Sequence, residues 1–104
     1  MNKLFYLLSV MFLLLSCAKP EHKIRVKNDY TEDINSLAVG DAIFDKTKMG
    51  TTTQYKPIDK GTFSIDGRTS TSIITGTGKI RGRGKHFWTL TFNQSGKISI
   101  NEDK

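Results

Sequence analysis

Trp88-Thr89-Leu90-Thr91-Phe92 is the stretch that decides the fold. Large apolar side chains alternate with threonine, and a period of two marks a strand with one face on a core and the other on water. The turn formers Asn93-Gln94-Ser95-Gly96 follow, and then a second alternating run, Lys97-Ile98-Ser99-Ile100. Two alternating runs joined by about four such residues predict a hairpin.

The same period recurs upstream. Lys23-Ile24-Arg25-Val26-Lys27 sends Ile24 and Val26 inward and three cations outward. Leu37 and Val39 share a face, and Ile43-Phe44 follows Gly40-Asp41. Thr51-Thr52-Thr53-Gln54-Tyr55 leads to Pro57, whose missing N–H suits a strand end or a sheet edge. Phe63 and Ile65 share a face in Thr62-Phe63-Ser64-Ile65-Asp66, and residues 70–75 carry Ile73 and Ile74. Asn28-Asp29-Tyr30, Lys48-Met49-Gly50, Asp59-Lys60-Gly61 and Asp66-Gly67 read as turns. Beyond residue 16 the chain is rich in isoleucine and threonine and holds only two leucines, a composition that favours strands over helices. The expectation is an all-β protein: one small antiparallel β-sandwich of about seven strands, after a cleaved helical signal peptide. With 104 residues in all, the chain has room for one such domain and no large enzyme scaffold.

The first residues have a different character. Met1-Asn2-Lys3 gives a positive start, and residues 4–15 are apolar except for Ser9. This is the secretory pattern, and the run is too short to cross a bilayer, which takes about 20 residues. It ends in Leu14-Leu15-Ser16-Cys17, which resembles the lipobox of bacterial lipoproteins. The resemblance implies cleavage before Cys17 by the lipoprotein signal peptidase, a diacylglyceryl group on the Cys17 thiol, and acylation such as palmitate on the new amino terminus. Cys17 is the one cysteine of the chain, so lipid attachment accounts for all of its cysteine chemistry. The expected organisation is a signal peptide over 1–16, lipidated cysteine and tether over 17–22, and the sandwich over 23–104. Ala18 after the cysteine implies, by the sorting rule of enterobacterial lipoproteins, a place in the cell envelope at the outer membrane. A second resemblance rests on Gly50-Thr51-Thr52-Thr53-Gln54-Tyr55, Pro57, Asp59, Gly61, Phe63 and Ile65. This order is similar to a hairpin of immunoglobulin-like and transthyretin-like sandwich domains, and implies a binding or spacer module.

Charge is uneven. The chain carries a net +6, and the excess lies beyond residue 66. Lys79, Arg81, Arg83 and Lys85 are all odd-numbered, so an extended strand through them puts all four on one face. The even face then continues from Ile80 to Trp88, Leu90 and Phe92 as core, and Phe87, of opposite parity, is an exposed contact candidate beside the basic row. Two readings of that row stay open. One is an anion site for lipid head groups or glycolipid phosphate. The other is protection of a sheet edge against pairing with other chains.

Catalytic patterns do not emerge. His22 and His86 are distant in sequence, and His86 reads as a strand-end surface residue rather than a base. Gly76-Thr77-Gly78-Lys79 and Gly82-Arg83-Gly84-Lys85 lack the spacing and the following hydroxyl of a phosphate loop. Asp29, Glu32 and Asp33 could in principle bind Ca²⁺, but without the glycine of a calcium loop they read as a solvated turn. The expectation is a protein with no enzyme activity, cofactor or metal. It is a membrane-anchored envelope lipoprotein that serves as a binding or accessory module for an envelope protein partner. The alternative is anion binding through the basic face. Nucleic acid is set aside as a partner, because an exported chain rarely meets it and no spaced aromatic platform appears.

Overall fold

The computed structural model describes residues 21–104. The leader, Cys17 and the first part of the tether lie outside the described residues. Eight strands follow one another: β1 (His22–Asn28), β2 (Ser36–Val39), β3 (Ala42–Phe44), β4 (Lys56–Ile58), β5 (Gly61–Arg68), β6 (Ile73–Ile80), β7 (His86–Phe92) and β8 (Ile98–Asp103). They form two four-stranded sheets, ordered β4-β1-β7-β8 and β3-β2-β5-β6. The protein is all-β, as the alternation and composition predict.

The period of two builds the core directly. Ile24 and Val26 of β1, Leu90 and Phe92 of β7, Leu37 and Val39 of β2, Phe44 of β3, Ile58 of β4, Ile65 of β5 and Ile80 of β6 are all buried. Ile98 and Ile100 of β8 pack on this cluster from the second position of the closing hairpin. Each fully buried aliphatic side chain contributes about 1.5–3 kcal/mol relative to exposure. The predicted 93–96 turn is present. Asn93 Oδ1 accepts from the Ser95 and Lys97 amides at 3.0 and 2.8 Å, and Gly96 adopts φ 84°.

Several details depart from the expectations. There are eight strands rather than about seven, and one pair is parallel: β1 lies beside β7 from His22↔His86 to Asn28↔Phe92. Thr51 to Tyr55 is not a regular strand. Val26 N–H donates to the Thr53 hydroxyl at 2.9 Å instead of a carbonyl, which leaves only an isolated bridge, Lys27↔Thr52. The segments around Pro57 and Phe63 form no hairpin with each other. β4 pairs with β1, β5 pairs with β2 and β6, and Asp59-Lys60 carries the chain from one sheet to the other. Pro57 does sit on an edge strand, where its missing donor costs no ladder bond. Asp66-Gly67 is no turn but the interior of β5. Gly67 is buried there, with Leu37, Ile34 and Phe92 around the place where a Cβ would stand.

The basic row changes most. β6 stops at Ile80, so only Lys79 of the four cations lies in a strand. Residues 81–85 cross from one sheet to the other, with Gly82 at φ 107° and Gly84 at φ 79°. These conformations suit glycine and break the strand period. A single extended face holding all four cations is therefore not formed.

Candidate functional site

Because β1 and β7 run parallel, both begin at the same end of the sandwich, with His22 beside His86. The antiparallel ladders bring other segments to that end: Ile58 pairs with His22, Gly61 with Ile80, and Asp103 with Phe87. One pole therefore gathers Glu21, the 59–60 turn, the 81–85 crossing and the end of β8. It is also the pole at which the chain arrives from Cys17, so we call it the tether pole. His22 belongs to β1 and is only 3% exposed, so the first strand starts one residue earlier than expected.

The crossing is tied to the first described residue. His86 N–H donates to the Glu21 carbonyl at 3.0 Å, and Gly84 N–H donates to Glu21 Oε2 at 3.1 Å. Two histidines hold the crossing from beneath. Trp88 Nε1–H can only donate, and it reaches His22 Nδ1 at 3.2 Å. The His22 proton is therefore on Nε2, which donates to the Gly82 carbonyl at 3.1 Å. His86 faces acceptors on both sides, Glu102 Oε2 at 2.9 Å from Nδ1 and the Arg83 carbonyl at 2.6 Å from Nε2. Both bonds need an N–H, so this geometry calls for the imidazolium. The hydrogen bond to Glu102, and after it the one to the Arg83 carbonyl, raise the His86 pKa above its ordinary value. The two rings stack at 5.3 Å between centroids and 13° between planes.

The four predicted cations all remain exposed at this pole. The ion pairs among the described residues are Arg25–Asp103, Lys27–Asp29, Lys46–Asp33, Arg68–Asp66 and His86–Glu102. None of them uses Lys79, Arg81, Arg83 or Lys85. Of the two carboxylates tied to the crossing, Glu21 is engaged by the Gly84 amide and Glu102 by His86. The backbone of the crossing is thus fixed by hydrogen bonds while its cationic side chains stay without acidic partners among the described residues.

Phe87 is 40% exposed on the outer face of the first sheet. It is not an isolated contact point, because the Tyr55 ring meets it edge-on at 5.1 Å. Tyr55 also lies 4.9 Å beneath the Arg25 guanidinium and donates its hydroxyl to Asp103 Oδ2 at 2.6 Å. Arg25 Nε donates to the Thr89 hydroxyl at 3.0 Å, and that hydroxyl donates to Asp103. Burial opposes ionisation of Asp103, yet the hydrogen bonds from Tyr55 and Thr89 and the charge of Arg25 hold its carboxyl below the ordinary value. Trp88 is half-buried against the core, consistent with its parity.

The three loop carboxylates occupy the opposite pole and work separately. Asp29 pairs with Lys27, Asp33 accepts from the Met49 amide, and Glu32 accepts from the Thr69 and Thr71 hydroxyls. Among the described residues no group of three or more His, Cys, Asp or Glu converges as metal ligands. Beneath this turn Asn28 is fully buried. Its amide donates to the Glu32 and Thr47 carbonyls at 3.0 Å each, and its oxygen accepts from Tyr30 N–H. An open cleft of about 760 Å³ also lies at this distal pole, lined in part by Tyr30, Met49, Gly50 and Gln94.

No protein-family model, curated protein or solved structure matches the chain.

Sequence reasoning missed His22, Asn28 and the Tyr55–Asp103 network. A signal existed for His22, since it shares the even parity of Ile24 and Val26 and so points inward. Asn28 shares that parity, and two of its partners lie only two and four positions away, whereas the Tyr55–Asp103 contact spans 48 positions and leaves no local signal.

Proposed function

We propose that this chain is a lipid-anchored protein of the bacterial cell envelope, with Cys17 as the acylated residue. On this reading it is a non-enzymatic binding or accessory module, and its partner is another envelope protein. The lipobox-like stretch and the lone cysteine support the anchor. The single observation that carries the rest is polarity. The tether enters at one pole, and the open cleft of about 760 Å³ lies at the other. Residues 18–21 reach at most about 14 Å, so the tether pole is held near the bilayer and the distal loops turn away from it. Met49, 56% exposed beside Tyr30 in that cleft, is a side chain suited to a protein contact. The histidines lend no support to catalysis, since both nitrogens of each are engaged in hydrogen bonds within the fold.

Two measurements test this. Metabolic labelling with palmitate should mark the wild-type chain and leave Cys17→Ala unlabelled and released from the membrane fraction. A photo-crosslinking side chain at Met49 should give a discrete adduct with one envelope protein, while one at Thr75, on the exposed edge strand β6, should not. Equal labelling of Cys17→Ala would end the lipoprotein reading, and no adduct at Met49 would end the assignment of the distal pole to a partner.

A further inference from the structure

We propose that the 81–85 crossing, with Lys79, is a docking surface for the anionic head groups of the bilayer that holds the lipid anchor. This rests on the lipoprotein reading and adds a second attachment, one that orients the domain.

Four observations lead to it. First, the crossing is hydrogen-bonded to Glu21, the residue at which the tether joins the fold, so its cations must lie within reach of any surface that the tether touches. Second, Lys79, Arg81, Arg83 and Lys85 form no ion pair among the described residues, as is true of Lys23, Lys48, Lys56, Lys60, Lys97 and Lys104, but these four alone cluster within seven residues of one another. Third, edge protection accounts for only one of the four. Lys79 lies on the edge strand β6, but the other three lie beyond its end, where there is no ladder to guard. Fourth, the crossing is preorganised. His22 holds the Gly82 carbonyl, His86 the Arg83 carbonyl, and Glu21 the Gly84 amide. Three of its backbone groups are thus held by the fold, while the four cationic side chains stay exposed.

The balance of charge at the two poles points the same way. Lys23, Arg25, Lys60 and Lys104 add to the four cations at the tether pole, against Glu21, Asp41, Asp59, Glu102 and Asp103. Lys27, Lys46, Lys48, Arg68 and Lys97 at the distal side face as many carboxylates: Asp29, Glu32, Asp33, Asp45 and Asp66. The field therefore favours setting the tether pole, rather than the distal one, on an anionic surface.

The segment 21–104 contains its own core and strand pairing, so it can be tested without the anchor. It should be titrated with vesicles of phosphatidylcholine, alone and with phosphatidylglycerol, at low and physiological salt. A Lys or Arg close to an anionic leaflet strengthens binding about fivefold. The variant Arg81→Gln/Arg83→Gln/Lys85→Gln should then lose about 100-fold at low salt. A distal variant of equal charge change, Lys46→Gln/Lys48→Gln/Lys97→Gln, should lose less than about threefold, because those side chains lie beyond the screening length of about 10 Å. Equal losses in the two variants, or no preference for phosphatidylglycerol, would overturn the proposal. So would displacement from the vesicles by millimolar inorganic phosphate, which would indicate a discrete phosphate site instead of a surface. Palmitate labelling of the whole chain against Cys17→Ala reports on the anchor alone. Absence of label would refute joint action of loop and anchor even where the vesicles bind.

Discussion

Gly78→Ala should destabilise this domain sharply, because side chains of both sheets crowd the site. Gly76 and Gly78 of β6 face inward, and β8 of the opposite sheet fills the space that their missing side chains leave. A Cβ on Gly78 would stand 2.4 Å from Ile100 Cδ1 and 2.5 Å from Phe63 Cζ. The backbone of Gly78 is not in the left-handed region, so an alanine there meets no strain of its own. By itself such a change gains about 0.4–1 kcal/mol through the unfolded chain. Overpacking of a core costs about 1–3 kcal/mol, and two contacts this short place the site toward the upper end. The net expectation is a loss of about 1–2 kcal/mol. For a domain of this size that lowers Tm by about 4–16 °C. Thermal unfolding followed by circular dichroism on the 21–104 segment reads this directly. Gly76→Ala should cost less, because its Cβ would meet only Ile98 Cδ1, at 2.9 Å, and that atom is the far end of a flexible side chain. The decisive control is Ile100→Val, which removes the clashing methyl at a cost of its own of about 0.5–1.5 kcal/mol. In the double variant Gly78→Ala/Ile100→Val, the alanine should cost clearly less than it does alone, a coupling of at least about 0.5 kcal/mol. Unchanged or higher Tm for Gly78→Ala, or strict additivity with Ile100→Val, would refute the packing of β8 over β6.

Three further outcomes follow from buried and titrating groups. His86 has a raised pKa in the folded state, so its bonds to Glu102 and the Arg83 carbonyl add stability below the ordinary imidazole range. That contribution is lost as pH rises through the raised folded value. The Tm gap between wild type and His86→Gln should accordingly be wide at acidic pH and narrow at alkaline pH, and a gap independent of pH would deny the imidazolium its role. Glu102→Gln should bring the His86 titration, followed by NMR, back toward the ordinary value. Asn28→Ala removes two donors from the buried Glu32 and Thr47 carbonyls and an acceptor from Tyr30 N–H. A loss of about 2–4 kcal/mol in denaturant unfolding is expected, and a loss under about 1 kcal/mol would mean that water replaces the amide.

Local order was legible in the chain wherever it depended on near neighbours. The alternation around Leu90, Ile24 and Ile65 gave core positions that the structure fills. The 93–96 turn was evident from its residues, because Asn93 bonds amides only two and four positions away. Phe87 was placed outward by parity alone. The reading failed where a local signal had two meanings. Gly67 looked like part of a turn, but it is a strand position that admits Leu37 from another strand. Residues 81–85 looked like the continuation of a strand, since their charges happen to keep its period, and positive φ at Gly82 and Gly84 ends it.

By itself the sequence determined the all-β class, most of the inward-facing side chains and the closing hairpin. These follow from the period of the side chains, which a single strand carries in itself. Only the tertiary structure decided that β1 lies parallel to β7, that Trp88 bonds to His22 across 66 positions, and that the basic crossing meets Glu21 just before the first strand. Pairing between distant strands is set by which buried faces fill one another's space. That competition is settled among all the strands at once, and no stretch of the chain records its outcome.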